Sequence, residues 1–168
     1  MQGRTLRITT TLALIVLTRL AGAQESQVEV HANYLPGTGL NSTAWGAGGQ
    51  YQLTLGSKQQ AVRLSPSLGV DWSRQEESGP STTSVGLDVN VQPGGDSQLT
   101  PYAGGSVSAN WVSEDAPKGA LLGLEYMGGV YYKLEPKGAL SLHLEVRYGY
   151  VRTQEHQATG RFGVALTL

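Results

Sequence analysis

The sequence predicts an all-β chain: an eight-stranded antiparallel up-and-down transmembrane β-barrel, preceded by a cleavable signal peptide. Three observations carry this. Residues 139–152, ALSLHLEVRYGYVR, set Leu140, Leu142, Leu144, Val146, Tyr148 and Tyr150 against Ser141, His143, Glu145, Arg147 and Gly149 until Val151 breaks the run. That is the period-two mark of a strand with one apolar and one polar face, and its length suffices to cross a bilayer at a tilt. The pattern recurs in eight segments. The connections between them alternate between seven to ten residues and four to six residues, the long-loop, short-turn asymmetry of transmembrane barrels.

Residues 1–23 read as the signal peptide. Arg4 and Arg7 supply a positive start, residues 8–18 form a short apolar core, and Ala21-Gly22-Ala23 is a small-x-small cleavage site. The core is too short for a spanning helix, and Arg19 interrupts it before the cleavage site. The barrel domain is therefore expected over residues 24–168. Removing Arg4, Arg7 and Arg19 leaves nine basic against 13 acidic residues, a net charge of −4. Scattered charge of that sign gives no footprint for nucleic acid. Cysteine is absent, which excludes disulfides, thiolate nucleophiles and Cys-type zinc sites. Charged residues make up only 15% of the chain, against about 25% in ordinary soluble domains. With 23 glycines, that points to strands whose outer face is not in water.

The strands are predicted in order. Residues 27–34 alternate Val28, Val30, Ala32 and Tyr34 with Glu29, His31 and Asn33, and a Pro/Gly/Asn-rich loop follows. Residues 44–56 place Trp45, Ala47, Gly49, Tyr51, Leu53 and Leu55 on one face. Residues 61–73 set Val62, Leu64, Pro66, Leu68, Val70 and Trp72 against Arg63, Ser65, Ser67, Gly69, Asp71 and Ser73. Pro66 removes a ladder donor and is expected at a bulge or kink. Residues 83–92 set Val85, Leu87, Val89 and Val91 against Ser84, Gly86, Asp88 and Asn90. Residues 99–112 set Pro101, Val107, Ala109 and Trp111 against Tyr102, Ser106, Ser108 and Asn110. Residues 120–134 turn Leu122, Leu124, Tyr126, Val130, Tyr132 and Leu134 outward, with Glu125, Tyr131 and Lys133 inward. Residues 139–152 are the seventh strand, and TQEHQAT (153–159) reads as a polar loop. Residues 160–168 are the eighth, with Phe162, Val164, Leu166 and Leu168 opposite Arg161, Gly163, Ala165 and Thr167.

The faces decide which solvent the barrel meets. A soluble barrel would turn its apolar side inward. Here the polar face is mostly Ser, Gly, Thr and Asn, small enough for the crowded interior of a narrow barrel, while Leu, Val, Trp and Tyr suit lipid contact. Tyr34, Trp45, Trp72, Trp111 and Tyr150 all fall beside the longer loops, where they would form an aromatic girdle at one membrane interface.

With this layout, and in the stretches PYAGGSVS (101–108), GGVYYKL (128–134) and LEVRYGY (144–150), the chain resembles the small OmpA/OmpX-like outer-membrane β-barrel family of Gram-negative bacteria. The resemblance covers nearly all of residues 24–168. It implies export through the inner membrane, residence in the bacterial outer membrane, contact with outer-membrane lipid, insertion by the barrel assembly machinery and a monomeric state. One feature departs from the family: its last strand commonly ends in an aromatic residue read by that machinery, and this chain ends in Leu168.

Glu29, His31, Arg63, Asp71, Asp88, Glu125, Lys133, His143, Glu145, Arg147 and Arg161 would all point into the lumen by parity. Charges inside a narrow cylinder are expected to pair with one another, because unpaired buried charge is costly. The expected result is a plugged polar lumen and a structural role in the envelope. The alternatives are a narrow porin-like channel for small solutes and a surface interaction protein acting through its mildly acidic loops (Glu76, Glu77, Glu114, Asp115). Ser141, His143 and Glu145 invite a hydrolase reading. Residues two apart on a strand stand about 6.5–7 Å apart along it, too far for the coupling a triad needs. A non-enzymatic protein without cofactor is therefore expected. His31 and His143 could share a metal with a carboxylate, but two histidines among many charges are expected to be satisfied within the lumen.

Overall fold

The computed structural model describes residues 23–36, 43–76, 79–113, 120–151 and 157–168. The strands are β1 (Ala23–Leu35), β2 (Ala44–Leu55), β3 (Val62–Gln75), β4 (Ser81–Pro93), β5 (Leu99–Val112), β6 (Leu121–Lys133), β7 (Leu140–Val151) and β8 (Gln157–Thr167). Each pairs antiparallel with the next. β8 returns to β1 in a register from Gln27↔Thr167 to Tyr34↔Gly160, and the sheet closes. Closure removes the exposed strand edges that an open sheet would present.

β5 occupies its predicted span, and the other strands differ at their ends. β1 starts at Ala23, so the expected boundary at Gln24 falls inside it; residues 1–22 of the expected leader lie outside the described residues. β8 starts at Gln157 rather than Gly160. The polarity of Gln157 and Thr159 reads as loop, but an open rung on β7 overrides it: Gln157, Ala158 and Thr159 pair with Gly149, Tyr148 and Arg147. Pro66 makes no bulge. It pairs with Val89 in unshifted register, and on its other side Gln52↔Ser67 and Leu55↔Leu64 keep one register across it. The β2–β3 ladder is interrupted at Pro66 and Ser65 and resumes in the same register. The register shift falls instead between Ala23 and Glu25. Glu77, Glu114, Asp115 and residues 152–156 of the loops lie outside the described residues.

The turns on the other side are short. Gly56 (φ 94°) and Gly95 (φ 101°) take left-handed conformations that a side chain would strain. Packing is inverted relative to a water-soluble domain. Among the described residues six hydrophobic side chains are buried against twenty polar or charged ones, while Leu87, Val146 and Tyr126 are 63%, 63% and 79% exposed. The polar core lies inside the cylinder and the apolar surface outside it.

Candidate functional site

The lumen holds a closed circuit of seven side chains from five strands. His31 of β1 directs Nδ1 to Glu29 Oε1 at 3.0 Å and Nε2 to Asp71 Oδ1 at 2.7 Å. Arg161 of β8 carries the circuit on, with Nη2 at 2.5 Å from Asp71 Oδ2 and Nη1 at 3.4 Å from Glu145 Oε1. The Tyr102 hydroxyl donates to Glu145 Oε2 at 2.5 Å and lies 2.5 Å from His143 Nε2. His143 Nδ1 closes the loop on Glu29 Oε1 at 2.6 Å. Carboxylate oxygens only accept, so both His31 nitrogens act as donors.

Arg147 of β7 extends the circuit toward the loops. Its Nε donates to Glu145 Oε1 at 2.5 Å, Nη2 to Asp88 Oδ2 at 2.5 Å and Nη1 to Glu125 Oε2 at 3.3 Å. One guanidinium thus faces three carboxylates from three strands, the multidentate use for which arginine suits a buried network better than lysine. Above it, toward the longer loops, lies a vestibule of about 90 Å³ lined by Ser84, Ser106, Ser108 and Asn110 beside Asp71 and Asp88. The Ser106 hydroxyl and Asn33 Oδ1 are buried there without a protein partner, as expected where water supplies the missing bond.

Three rings lie against one another at the waist. Tyr131 stacks on His143 with centroids 4.5 Å apart and on Tyr102 at 5.3 Å. The Tyr131 hydroxyl lies 3.3 Å from both Glu29 Oε2 and Gln52 Oε1, and Gln50 Nε2 donates to Glu29 Oε2 at 3.0 Å. Toward the short turns the lumen becomes neutral, with buried Gln52, Thr54, Ser65, Ser67 and Gln92. A second ionic group lies at that mouth. Arg63 Nη1 donates to Glu25 Oε2 at 2.9 Å, and Lys58 Nζ reaches Glu25 at 3.0 Å and Asp96 at 2.7 Å. In the exposed turns, hydrogen bonding to Asp96 and then Glu25 raises the Lys58 ammonium above its ordinary range, and Lys58 lowers the Asp96 carboxyl.

Of the eleven lumen residues expected from parity, Glu29, His31, Asp71, Asp88, Glu125, His143, Glu145, Arg147 and Arg161 meet in one network. Arg63 and Lys133 stand apart at the turn-side mouth, Lys133 lying 3.8 Å from Asp96. Ser141 is buried, but His143 spends its nitrogens on Glu29 and Tyr102, so no Ser–His–Glu relay forms along β7. His31 and His143 converge on one Glu29 oxygen through hydrogen bonds, and no cluster of metal-ligand geometry occurs among the described residues. Tyr34, Trp45, Trp72, Trp111 and Tyr150 are all exposed at the loop-side strand ends, and Tyr34 packs on Trp45 with centroids 4.5 Å apart. Sequence reasoning missed the roles of Tyr102, Tyr131, Gln50 and Glu25. The available signal was two tyrosines on an otherwise small polar face, and Glu25 continuing the inward parity of Glu29 and His31.

A closed eight-stranded barrel with a polar interior and an apolar exterior is the architecture of small outer-membrane proteins. The solved structures it resembles are of that class. Neisserial surface protein A superposes with a TM-score of 0.60 at 19% identity, over 84% of this chain and 96% of that one. The N-terminal β-barrel domain of Pseudomonas aeruginosa OprF gives 0.62 at 11% identity, over 87% and 98%. The outer membrane enzyme PagL gives 0.57 at 11%, over 83% and 98%. At these identities the likeness is one of fold. No family model matches the chain, and no curated protein matches it.

Proposed function

We propose that this chain is an integral protein of the bacterial outer membrane whose lumen is plugged, and that it serves the envelope structurally rather than as an enzyme or an open pore. The observation that carries the reading is the circuit Glu29–His31–Asp71–Arg161–Glu145–Tyr102–His143, closed across the lumen and stacked on Tyr131. An ion crossing the waist would have to displace several charge-assisted bonds at once, and an eight-stranded barrel has no spare width for a path around them. The apolar outward face, with its loop-side aromatics, supports lipid as the external solvent. In this reading residues 1–23 are a leader, and N-terminal sequencing of the membrane-extracted chain is expected to begin at Gln24.

Planar-bilayer recording tests the plug. The wild-type protein, shown to be inserted by heat-modifiable gel migration, is expected to give no reproducible conductance steps. Tyr131→Ala combined with His143→Ala, which removes two of the three waist rings, is expected to give small steps and so certify the assay. Steps in the wild type would replace the plug with the channel reading.

A further inference from the structure

We propose that the outer face of the barrel carries a binding site for a net-anionic phospholipid of the loop-side leaflet, with one acyl chain in a groove across β6, β7, β8, β1 and β2 and the headgroup on Arg74; the site presupposes the membrane reading above. The groove encloses about 560 Å³. Ala32, Gly128 and Gly160 form its floor, Leu144 and Phe162 stand beside it, and Trp45 closes its loop-side end.

Two observations point to an occupant. First, nothing in the packing requires the floor to be glycine. A Cβ on Gly160 would come no nearer than 3.9 Å to another heavy atom (the Tyr34 carbonyl), and one on Gly128 no nearer than 3.8 Å (the Tyr102 carbonyl). The missing side chains leave an apolar hollow beside the large outward side chains of Leu144, Val146 and Phe162. Second, Arg74 is the one charged residue at an outward position of the described strands. It is exposed, it has no ion pair among the described residues, and its register partner is Trp45. Trp45 is in turn held by Tyr34 and by its Nε1 donating to Glu76 at 2.9 Å. The row Arg74–Trp45–Tyr34–Gly160 therefore runs from a lone guanidinium, over an aromatic ledge, into the hollow. A guanidinium at the interface and an acyl-wide apolar groove below it match the two ends of an anionic phospholipid.

The test uses the full barrel with Trp72→Phe and Trp111→Phe, leaving Trp45 as the reporter, in phosphatidylcholine vesicles. Brominated phosphatidylglycerol and brominated phosphatidylcholine are compared at equal mole fraction. The expected result is an affinity about fivefold higher for phosphatidylglycerol, the ratio one interfacial arginine is worth against an anionic headgroup. The preference should vanish in Arg74→Gln, and Gly160→Leu should weaken quenching by filling the floor. Equal quenching by both lipids, or a preference that Arg74→Gln leaves unchanged, overturns the site. Quenching by neither lipid would instead overturn the membrane reading. Should the tryptophan variants fail the heat-modifiability check, native mass spectrometry of the unmodified chain reads the same preference. A phosphatidylglycerol adduct lost in Arg74→Gln supports the site, and equal retention of both lipids sinks it.

Discussion

Glu145 and Val146 are consecutive residues of β7, one 3% exposed and the other 63% exposed. Between them they show how the two sides of the wall are specified. Glu145 is bonded to Arg147 of its own strand, to its register partner Arg161 of β8 and to Tyr102 of β5, and the last of these bonds depends on the stagger of strands that are not neighbours. Val146 faces outward, where any apolar side chain would serve. The inner side is therefore specified by identity and the outer side by hydrophobicity. Substitutions inside should act through lost partners and substitutions outside through changed solvation.

The largest expected effect is at Arg147. Truncation to Ala leaves Asp88, Glu125 and Glu145 facing one another without their common cation, and breaking a buried ionic group from one side costs about 3–5 kcal/mol. Urea titration in lipid vesicles, followed by tryptophan fluorescence, should show a loss of that size. A loss below about 1 kcal/mol, the level of a solvated pair, would mean that the lumen is hydrated and the contrast between the two faces is weaker than drawn.

Next comes the outer side. Leu87 sits midway along β4 and is exposed. Replacing it with Arg deletes no internal bond, yet in a bilayer it should cost about 2–4 kcal/mol, the penalty for arginine at the midplane of a barrel wall. The same titration reads it. A neutral outcome would mean that water, not lipid, covers this face.

The alternation that makes this contrast was legible in residues 99–112, where the expected and observed spans of β5 coincide. It failed where the ladder, not the residue type, decides. Gln157 and Thr159 look like loop until β7 offers them partners, and Pro66 looks like a bulge until both neighbouring registers are known. In the lumen, parity can assign a side but not a partner. Glu29 and His143 are 114 positions apart, and they meet only because closure and strand stagger bring β1 and β7 to the same height. The ring stack of Tyr102, Tyr131 and His143 was hidden for the same reason. No local pattern says that two inward tyrosines on neighbouring strands share a level.

The smallest effect is the most discriminating, because two adjacent glycines of β6 should respond with opposite signs. A Cβ on Gly129 would lie 2.5 Å from the Leu144 carbonyl and 2.5 Å from the Tyr102 hydroxyl. Gly129→Ala must therefore push backbone or break into the circuit, at a cost of about 1–3 kcal/mol for overpacking. On Gly128 the nearest atom would be 3.8 Å away, an ordinary contact. Neither residue has the positive φ that would penalise alanine. Gly128→Ala should consequently stabilise the barrel by about 0.4–1 kcal/mol, chiefly by restricting the unfolded chain. Equal destabilisation by both would show that the outer wall is packed as tightly as the lumen, and the groove proposed beside Gly128 would lose its floor. Opposite signs would show the reverse: the glycine facing inward is fixed by its neighbours, while the one facing outward is held by no internal contact, leaving its vacancy to whatever lies outside the barrel.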